Sequence, residues 1–227
     1  MKIREVAITA HHLGEAAAFY RDVLEMPVEE QLDRVTVKIG SSRLIIAQGD
    51  PFEGVHHLAF GISPHDFDLA RTWLRGRVEP IVAGGSEVID GPEGWNSLSV
   101  YFLGPEGIVL ELIARGADAA IPGSGGAAPR PLSISEVGIG VPDTSAAVRE
   151  LTQTLALPTF PPQEPQFAPI GNHDGLLILV DHERVWFPTR THQPARGPLS
   201  VRIDGFEHPR ELLLTPNTSI TAYPVIR

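Results

Sequence analysis

The chain has 227 residues, 42% of them hydrophobic and 20% charged, with 18 Lys and Arg against 28 Asp and Glu for a net charge of −10. These are ordinary globular proportions, which exclude a coiled coil, a collagen or a disordered chain, and the acidic balance disfavours nucleic acid and anionic lipid as partners. No cysteine is present, so a disulfide framework, a thiolate metal site and a cysteine nucleophile are all excluded, and any metal must be held by His, Asp or Glu. No stretch approaches the roughly 18 apolar residues of a membrane span, and the opening MKIREVAITAHH lacks a signal-peptide core. The expectation is a cytoplasmic protein that engages neither membrane nor nucleic acid.

The predicted elements repeat. Residues 5–10 (EVAITA) alternate Val6 and Ile8 with Glu5, Ala7 and Thr9, the period of a strand with two unlike faces. The next segment, LGEAAAFYRDVL, places Ala17, Tyr20 and Leu24 on one helical stripe, and RVTVKIG and SRLIIAQG then read as further strands. Residues 57–62 (HLAFGI) restart the pattern, with His57, Ala59 and Gly61 opposite Leu58, Phe60 and Ile62. A helix over DFDLARTWLRG follows, then strands over SLSVYFLG and GIVLELIA.

Residues 116–131, GADAAIPGSGGAAPRP, are small and turn-prone and read as a linker. Beyond it EVGIGV at 136–141 opens a third copy, followed by a helix over TSAAVRELTQTL, with Asp143-Thr144 offering N-cap oxygens, and by strands over GLLILVD and RVWFP. A fainter fourth copy begins with SVRID at 200–204 and continues into FEHPRELLL, a poor helix because of Pro209. The unit is strand, helix, then about three strands, recurring every 50 to 65 residues or so, which predicts an α+β fold of repeated βαβββ modules in curved mixed sheets. Residues 1–115 are expected to pair the first two modules in one curved sheet, and 132–227 to hold a third module and a truncated fourth.

In each copy the helix covers the large apolar residues, so the opposite face, lined by a Glu or His and by very small residues, is left concave. Glu5 and His57 head equivalent strands on that face. Glu111 lies in VLELIA between Leu110 and Leu112, which point the other way. A carboxylate inside such an apolar run is costly to bury unless it is paired or metal-bound. One nitrogen and two carboxylates with open positions suit a divalent Mn, Fe, Co, Ni or Zn ion. The adjacent pairs His11-His12 and His56-His57 face opposite sides of a strand and cannot chelate one ion from a single face.

The module order, the stretch GVHHLAFGIS and the run WNSLSVYFLGPEGIVLELIA resemble the vicinal oxygen chelate superfamily, which gathers glyoxalases, extradiol dioxygenases and bleomycin-resistance proteins. The resemblance covers modules one and two closely, module three in pattern and the chain beyond about residue 200 weakly. It implies metal ligands at Glu5, His57 and Glu111, although Glu5 stands where relatives more often carry His or Gln. Tyr101, ten residues before Glu111, resembles the substrate-orienting Tyr of the extradiol dioxygenases, but their neighbouring His is replaced by Gly91-Pro92-Glu93-Gly94-Trp95. Gly104-Pro105-Glu106-Gly107-Ile108 stands in place of the family's Asp-Pro-Asp-Gly-Asn turn.

The leading expectation is a metalloenzyme acting on a small oxygen-rich substrate chelated to the ion, as lyase, isomerase or ring-cleaving dioxygenase, with a homodimer as an expected assembly. The alternative is a metal-free sequestering protein of the bleomycin-resistance type, walled by Trp73, Trp95, Tyr101 and Phe102. No metal is expected in the C-terminal half, where Glu136 is the repeat partner of Glu5 but has no partner resembling Glu111.

Overall fold

The computed structural model describes residues 1–224. The first module comprises β1 (Lys2–Ala10), α1 (Leu13–Ala18), β2 (Val28–Glu30), β3 (Arg34–Ile39) and β4 (Ser42–Gln48). The second comprises β5 (His57–Ile62), α2 (Phe67–Arg75), β6 (Ile89–Asp90), β7 (Ser97–Leu103) and β8 (Val109–Arg115). The third has one strand fewer: β9 (Pro131–Val141), α3 (Thr144–Leu155), β10 (Phe167–Asn172) and β11 (Gly175–Asp181). The fourth is β12 (Leu199–Phe206), β13 (Arg210–Thr215) and β14 (Thr218–Pro224). Among the described residues no helix is long and apolar enough to cross a membrane.

The α+β module is as expected, and within each module the first strand runs parallel beside the last. Helix α3 shows how the sequence encodes it. The Asp143 carboxylate accepts the Ala146 N–H at 2.8 Å, Ala147, Leu151 and Leu155 bury one stripe, and Ala156 in the left-handed region ends the helix. The first helix departs from expectation, because after Ala18 it widens into a π-helical turn over Phe19–Val23. The fourth module has no helix: Pro209 leaves Arg210–Thr215 as a strand paired with β14. RVWFP is likewise not a strand; its backbone belongs to the long connector between β11 and β12.

Strand pairing corrects the expected arrangement. Modules one and two do not share a sheet. One seven-stranded sheet has the order β13-β14-β12-β1-β4-β3-β2 and the other β10-β11-β9-β5-β8-β7-β6, so module one joins module four and module two joins module three. All the first strands carry the same alternation, so their pattern does not name a partner. Residue chemistry does contribute, since Glu5 lies directly opposite Arg202 across the β1–β12 pair and beside Arg43 on β4.

The two sheets stack back to back, with all three helices in the shared core. One apolar cluster joins Val6, Val37 and Leu44 of the first sheet to Phe60, Leu110 and Val137 of the second and to Leu74 and Leu151 of the helices. The small-residue faces therefore point outward as two separate cups. The 116–131 segment lies against the second module: the Asp66 carboxylate accepts the Ser124 N–H at 2.8 Å, and Ser63 Oγ donates to Ile121 O at 2.7 Å.

A buried hydroxyl ties the sheets together. Ser42 Oγ donates to Ile3 O at 2.6 Å and accepts the Ile134 N–H at 3.0 Å, linking β1 and β4 to β9. The turn before it depends on Gly40, whose φ is +56° and where a Cβ would lie 2.1 Å from Leu132 O, leaving no room for a side chain. Ser42→Ala orphans two buried backbone groups and is expected to cost about 1–3 kcal/mol, read as a lower denaturation midpoint at unchanged slope.

Candidate functional site

The second sheet builds its cup from β5, β8 and β9. Across the parallel β5–β8 pair Ala59 is level with Glu111, and across the antiparallel β5–β9 pair it is level with Glu136. An irregularity between Ala59 and Phe60 shifts the register by one residue, so that Ile134 and Val137 both reach the core while Ser135 and Glu136 lie between them. His57, at the head of β5, completes the group. The imidazole and the two carboxylates each offer one ligand atom, and these atoms all lie within 4.8 Å of one another. All three residues are buried, at 5% exposure or less.

Each member is held by a neighbour. His57 Nδ1 is 3.2 Å from Val109 O; as donor there it leaves the Nε2 lone pair facing Glu111 Oε2 at 3.5 Å. Ser99 Oγ donates to Glu111 Oε1 at 2.5 Å, while Glu111 Oε2 is buried without a hydrogen-bond partner. Glu136 is ion-paired to Arg115, itself 1% exposed, whose Nε donates to Ser135 Oγ at 3.3 Å and whose guanidinium lies 5.2 Å from the Trp95 ring. Arg115 follows Glu111 by four residues on β8 and so shares its face.

Burial governs the protonation states. Desolvation, with the Glu136 charge adding to it, pushes the Glu111 carboxyl up to about 8. Glu136 is also raised by burial, but Arg115 opposes the shift. Desolvation lowers His57 to about 4, so its ring is neutral at pH 7 and its lone pair is available. Burial and the two carboxylates hold the Tyr101 phenol well above its ordinary value, which keeps it a proton donor.

The cup has a volume of about 340 Å³. Its floor is the cluster, and Tyr101 lies directly across from Glu111 with its ring 6.1 Å from that of His57. Its lid comes from the third module and the β11–β12 connector. Trp186 is 4% exposed, packs 5.2 Å from the His57 ring and donates its indole N–H to Val55 O at 2.8 Å. It fits there because residue 138 is glycine: a Cβ would lie 2.4 Å from the indole and 2.9 Å from His57 Cβ. Trp95 closes another side through an indole N–H bond to Pro161 O at 2.5 Å, and Phe167, Phe187 and Arg184 line the mouth.

The structure brings together three of the four expected residues, His57, Glu111 and Tyr101, and places the fourth elsewhere. Glu5 faces the other cup, where Arg43 binds it at 2.8 Å and Arg202 approaches to 3.6 Å. Its position in the cluster is taken by Glu136, its own repeat equivalent, from the half in which no site was expected. Of the expected aromatic walls, Trp95 and Tyr101 line the cup, whereas Trp73 and Phe102 pack with the main core. Sequence reasoning missed Arg115 and Trp186; the arginine's four-residue spacing from Glu111 was the one signal that could have found it, and Trp186 lay in RVWFP, which reads as a strand and is not one.

The protonation states have a measurable consequence in chelator-treated protein. Between its unfolded value of 4.5 and about 8, Glu111 holds a proton that the unfolded chain has released, so its contribution to stability falls as pH rises. His57 acts in the opposite sense between about 4 and its unfolded value of 6.5, where the unfolded chain alone is protonated. His56, lowered to about 4 by burial in the same way, acts with His57; the histidines oppose Glu111 below 6.5, and from there to about 8 only the raised carboxyls act, Glu136 in the same direction as Glu111. Stability from denaturant titrations is expected to decline across that window, and Glu111→Gln to flatten the decline.

No family model matches the chain, and no curated protein matches it. Solved structures do. A proposed dioxygenase from Bacillus subtilis subsp. subtilis str. 168 superposes with a TM-score of 0.64 at 12% identity, covering 98% of this chain and 85% of its own. Two glyoxalase I mutants from Zea mays give 0.57 at 11% identity, covering 98% and 93%, and 0.56 at 15%, covering 88% and 74%. At these identities the likeness is one of architecture: four modules, paired into two outward-facing cups, give this chain the fold of these solved structures.

Proposed function

We propose that His57, Glu111 and Glu136 hold a divalent metal ion, and that the protein is an enzyme of glyoxalase or dioxygenase type acting on a small substrate through adjacent oxygens. The observation that carries this reading is the convergence of three buried ligand atoms within 4.8 Å, beside which Glu111 Oε2 is buried without a hydrogen-bond partner. Two carboxylates so close and so desolvated favour an ion between them. The donor set of one imidazole and two carboxylates fits Mn, Fe, Co, Ni or Zn.

An ion there would supply Lewis acidity toward substrate oxygens. The chain's own residues do the rest. The Val109 carbonyl fixes the His57 ring, and Ser99 fixes the Glu111 carboxylate. Tyr101, held protonated, offers its O–H to a substrate oxygen, while Trp95 and Trp186 exclude water. Glu111 gives up its proton on binding a cation, so loading is expected to strengthen with pH up to about 8.

A second reading has its own observation. Arg115 already neutralises Glu136, and burial keeps Glu111 protonated, so the cup is electrically balanced without an ion. That suits a pocket with aromatic walls that sequesters a small molecule.

Metal analysis of purified protein separates the two. The enzyme reading expects bound metal in the wild type, lost in His57→Ala and in Glu136→Ala but retained in Glu5→Gln and Tyr101→Phe, the last of which lowers only turnover. Ser99→Ala, which removes a hydrogen bond behind Glu111, is expected to weaken metal binding about 10- to 100-fold. Equal metal in wild type and His57→Ala would overturn the ligand assignment. A metal-free wild type carrying a tightly bound organic molecule would favour sequestration.

A further inference from the structure

The cup on the first sheet takes no part in the chemistry around His57, yet it is the larger of the two, about 1060 Å³ against 340 Å³. Strand register sets its charges in a row. Lys38 on β3 lies level with Arg43 on β4, Arg43 with Glu5 on β1, and Glu5 with Arg202 on β12. A bulge in β1 leaves both Arg4 and Glu5 between the buried Ile3 and Val6, which brings Glu5 into the middle of that row.

Three cations therefore share one carboxylate, a local excess of positive charge in a chain whose net charge is −10. Lys38 and Arg43 are like charges directly opposite one another, an arrangement that costs stability, and among the described residues Lys38 has no ion-pair partner. The other charges of the lining do not relieve them. Arg4 and Asp204 pair with each other at 2.5 Å, and Glu29 stands exposed on the edge strand β2, level with Thr36 and outside the row. The two guanidiniums are held with donors to spare. Arg43 Nη2 donates to Glu5 Oε2 at 2.8 Å, while Arg202 Nη1 stands 3.6 Å from Glu5 Oε1 and its Cζ lies 4.5 Å from the centre of the Tyr223 ring. Among the described residues neither guanidinium has a second acceptor, so Glu5 sets the two side by side and leaves their remaining N–H groups to the cup.

The chemistry of the row selects the ligand. Guanidinium forks match the oxygens of carboxylates and phosphates, and a compact dianion answers the excess charge at one point, where a monoanion would leave a cation uncompensated. The volume exceeds what an inorganic ion needs, and Pro27, Val28 and Tyr223 offer a wall for an organic body. We propose that the first-sheet cup is a second binding site, for a small free phosphate monoester whose phosphate meets Arg43 and Arg202, with Lys38 adding its charge from the next strand. The proposal is independent of metal in the cup around His57.

Phenyl phosphate is the probe, titrated into the full chain by calorimetry at about pH 8, where the phosphate has lost its second proton. Phenyl sulfate serves as the monoanion of the same shape and phthalate as a dicarboxylate. The expected result is saturable binding of phenyl phosphate, about tenfold or more tighter than either analogue. Arg43→Gln and Arg202→Gln should each weaken it about tenfold and Lys38→Gln about threefold, whereas Glu5→Gln, which removes the one negative charge in the row, should tighten it. Without ligand, Lys38→Gln should melt at or above the wild type, because a like-charge pair has been removed. Absence of saturable binding overturns the proposal, as does equal affinity for phenyl sulfate, which reveals only a diffuse attraction for anions. Phthalate bound as tightly as phenyl phosphate overturns the phosphate assignment, and weaker binding by Glu5→Gln overturns the charge argument. His57→Ala should bind phenyl phosphate as the wild type does; loss there places the anion in the other cup and overturns the site. Metal content is expected to be unchanged in the Lys38, Arg43 and Arg202 variants, so failure here and failure of the enzyme reading are distinct outcomes.

Discussion

The antiparallel pairing of β5 with β9 is the contact on which the chemistry of this molecule depends. It sets Ala59, a residue with almost no side chain, between Glu111 on one side and Glu136 on the other. A larger residue at that position would hold the carboxylates apart, and a one-residue slip would turn Glu136 into the core. The irregularity after Ala59 lets β9 place both Ile134 and Val137 in the core while Glu136 still reaches the cup. Everything else at the site is arranged around that register: Ser99 and Tyr101 arrive from β7, Arg115 from the end of β8, and Trp186 covers His57 over a glycine.

Such a cluster is an unlikely device for stability. Two carboxylates and a guanidinium, all nearly inaccessible, lose hydration that a single ion pair recovers only in part, and apolar residues of similar volume would pack at least as well. The cup therefore reads as function held in place by the fold. The back-to-back packing of the sheets supplies the support, since the large core between them leaves both cups free of structural duty. The same logic separates Arg115 from the groups around it: its charge balances Glu136 and its guanidinium lies over the Trp95 ring, and it does not itself line the cup.

Much of this was legible in the sequence because it is local. The alternation in EVAITA, HLAFGI and EVGIGV, the stripes of the three helices, and Glu111 set between two leucines each express a periodicity within one element. His57 and Glu111 were found that way, as was the repeated module; Tyr101 was singled out by the family resemblance. The identity of the third carboxylate was not legible, because it depends on which first strand lies beside β5. Glu5 and Glu136 occupy the same place in the repeat, and only the pairing of modules separates them. Trp186 was missed for a related reason: RVWFP reads as a strand but lies in an irregular connector, so the period assumed for it points to no face.

The two cups show how one repeated position acquires different chemistry from its neighbours. In the first sheet Glu5 is level with Arg43 on one side and Arg202 on the other, and its side chain keeps 13% exposure beside two guanidiniums that are 59% and 43% exposed. A cation approaching it would have to displace both and would still face water. In the second sheet the corresponding neighbours of β5 and β9 are Ala59, Glu111 and Leu176, and aromatic side chains from three segments close the opening. The carboxylate of Glu136 thus meets one buried arginine and a second carboxylate in place of two solvated cations. Duplication of the module supplied the position twice, and the residues one strand away determined that one copy is a surface ion pair and the other the heart of the site.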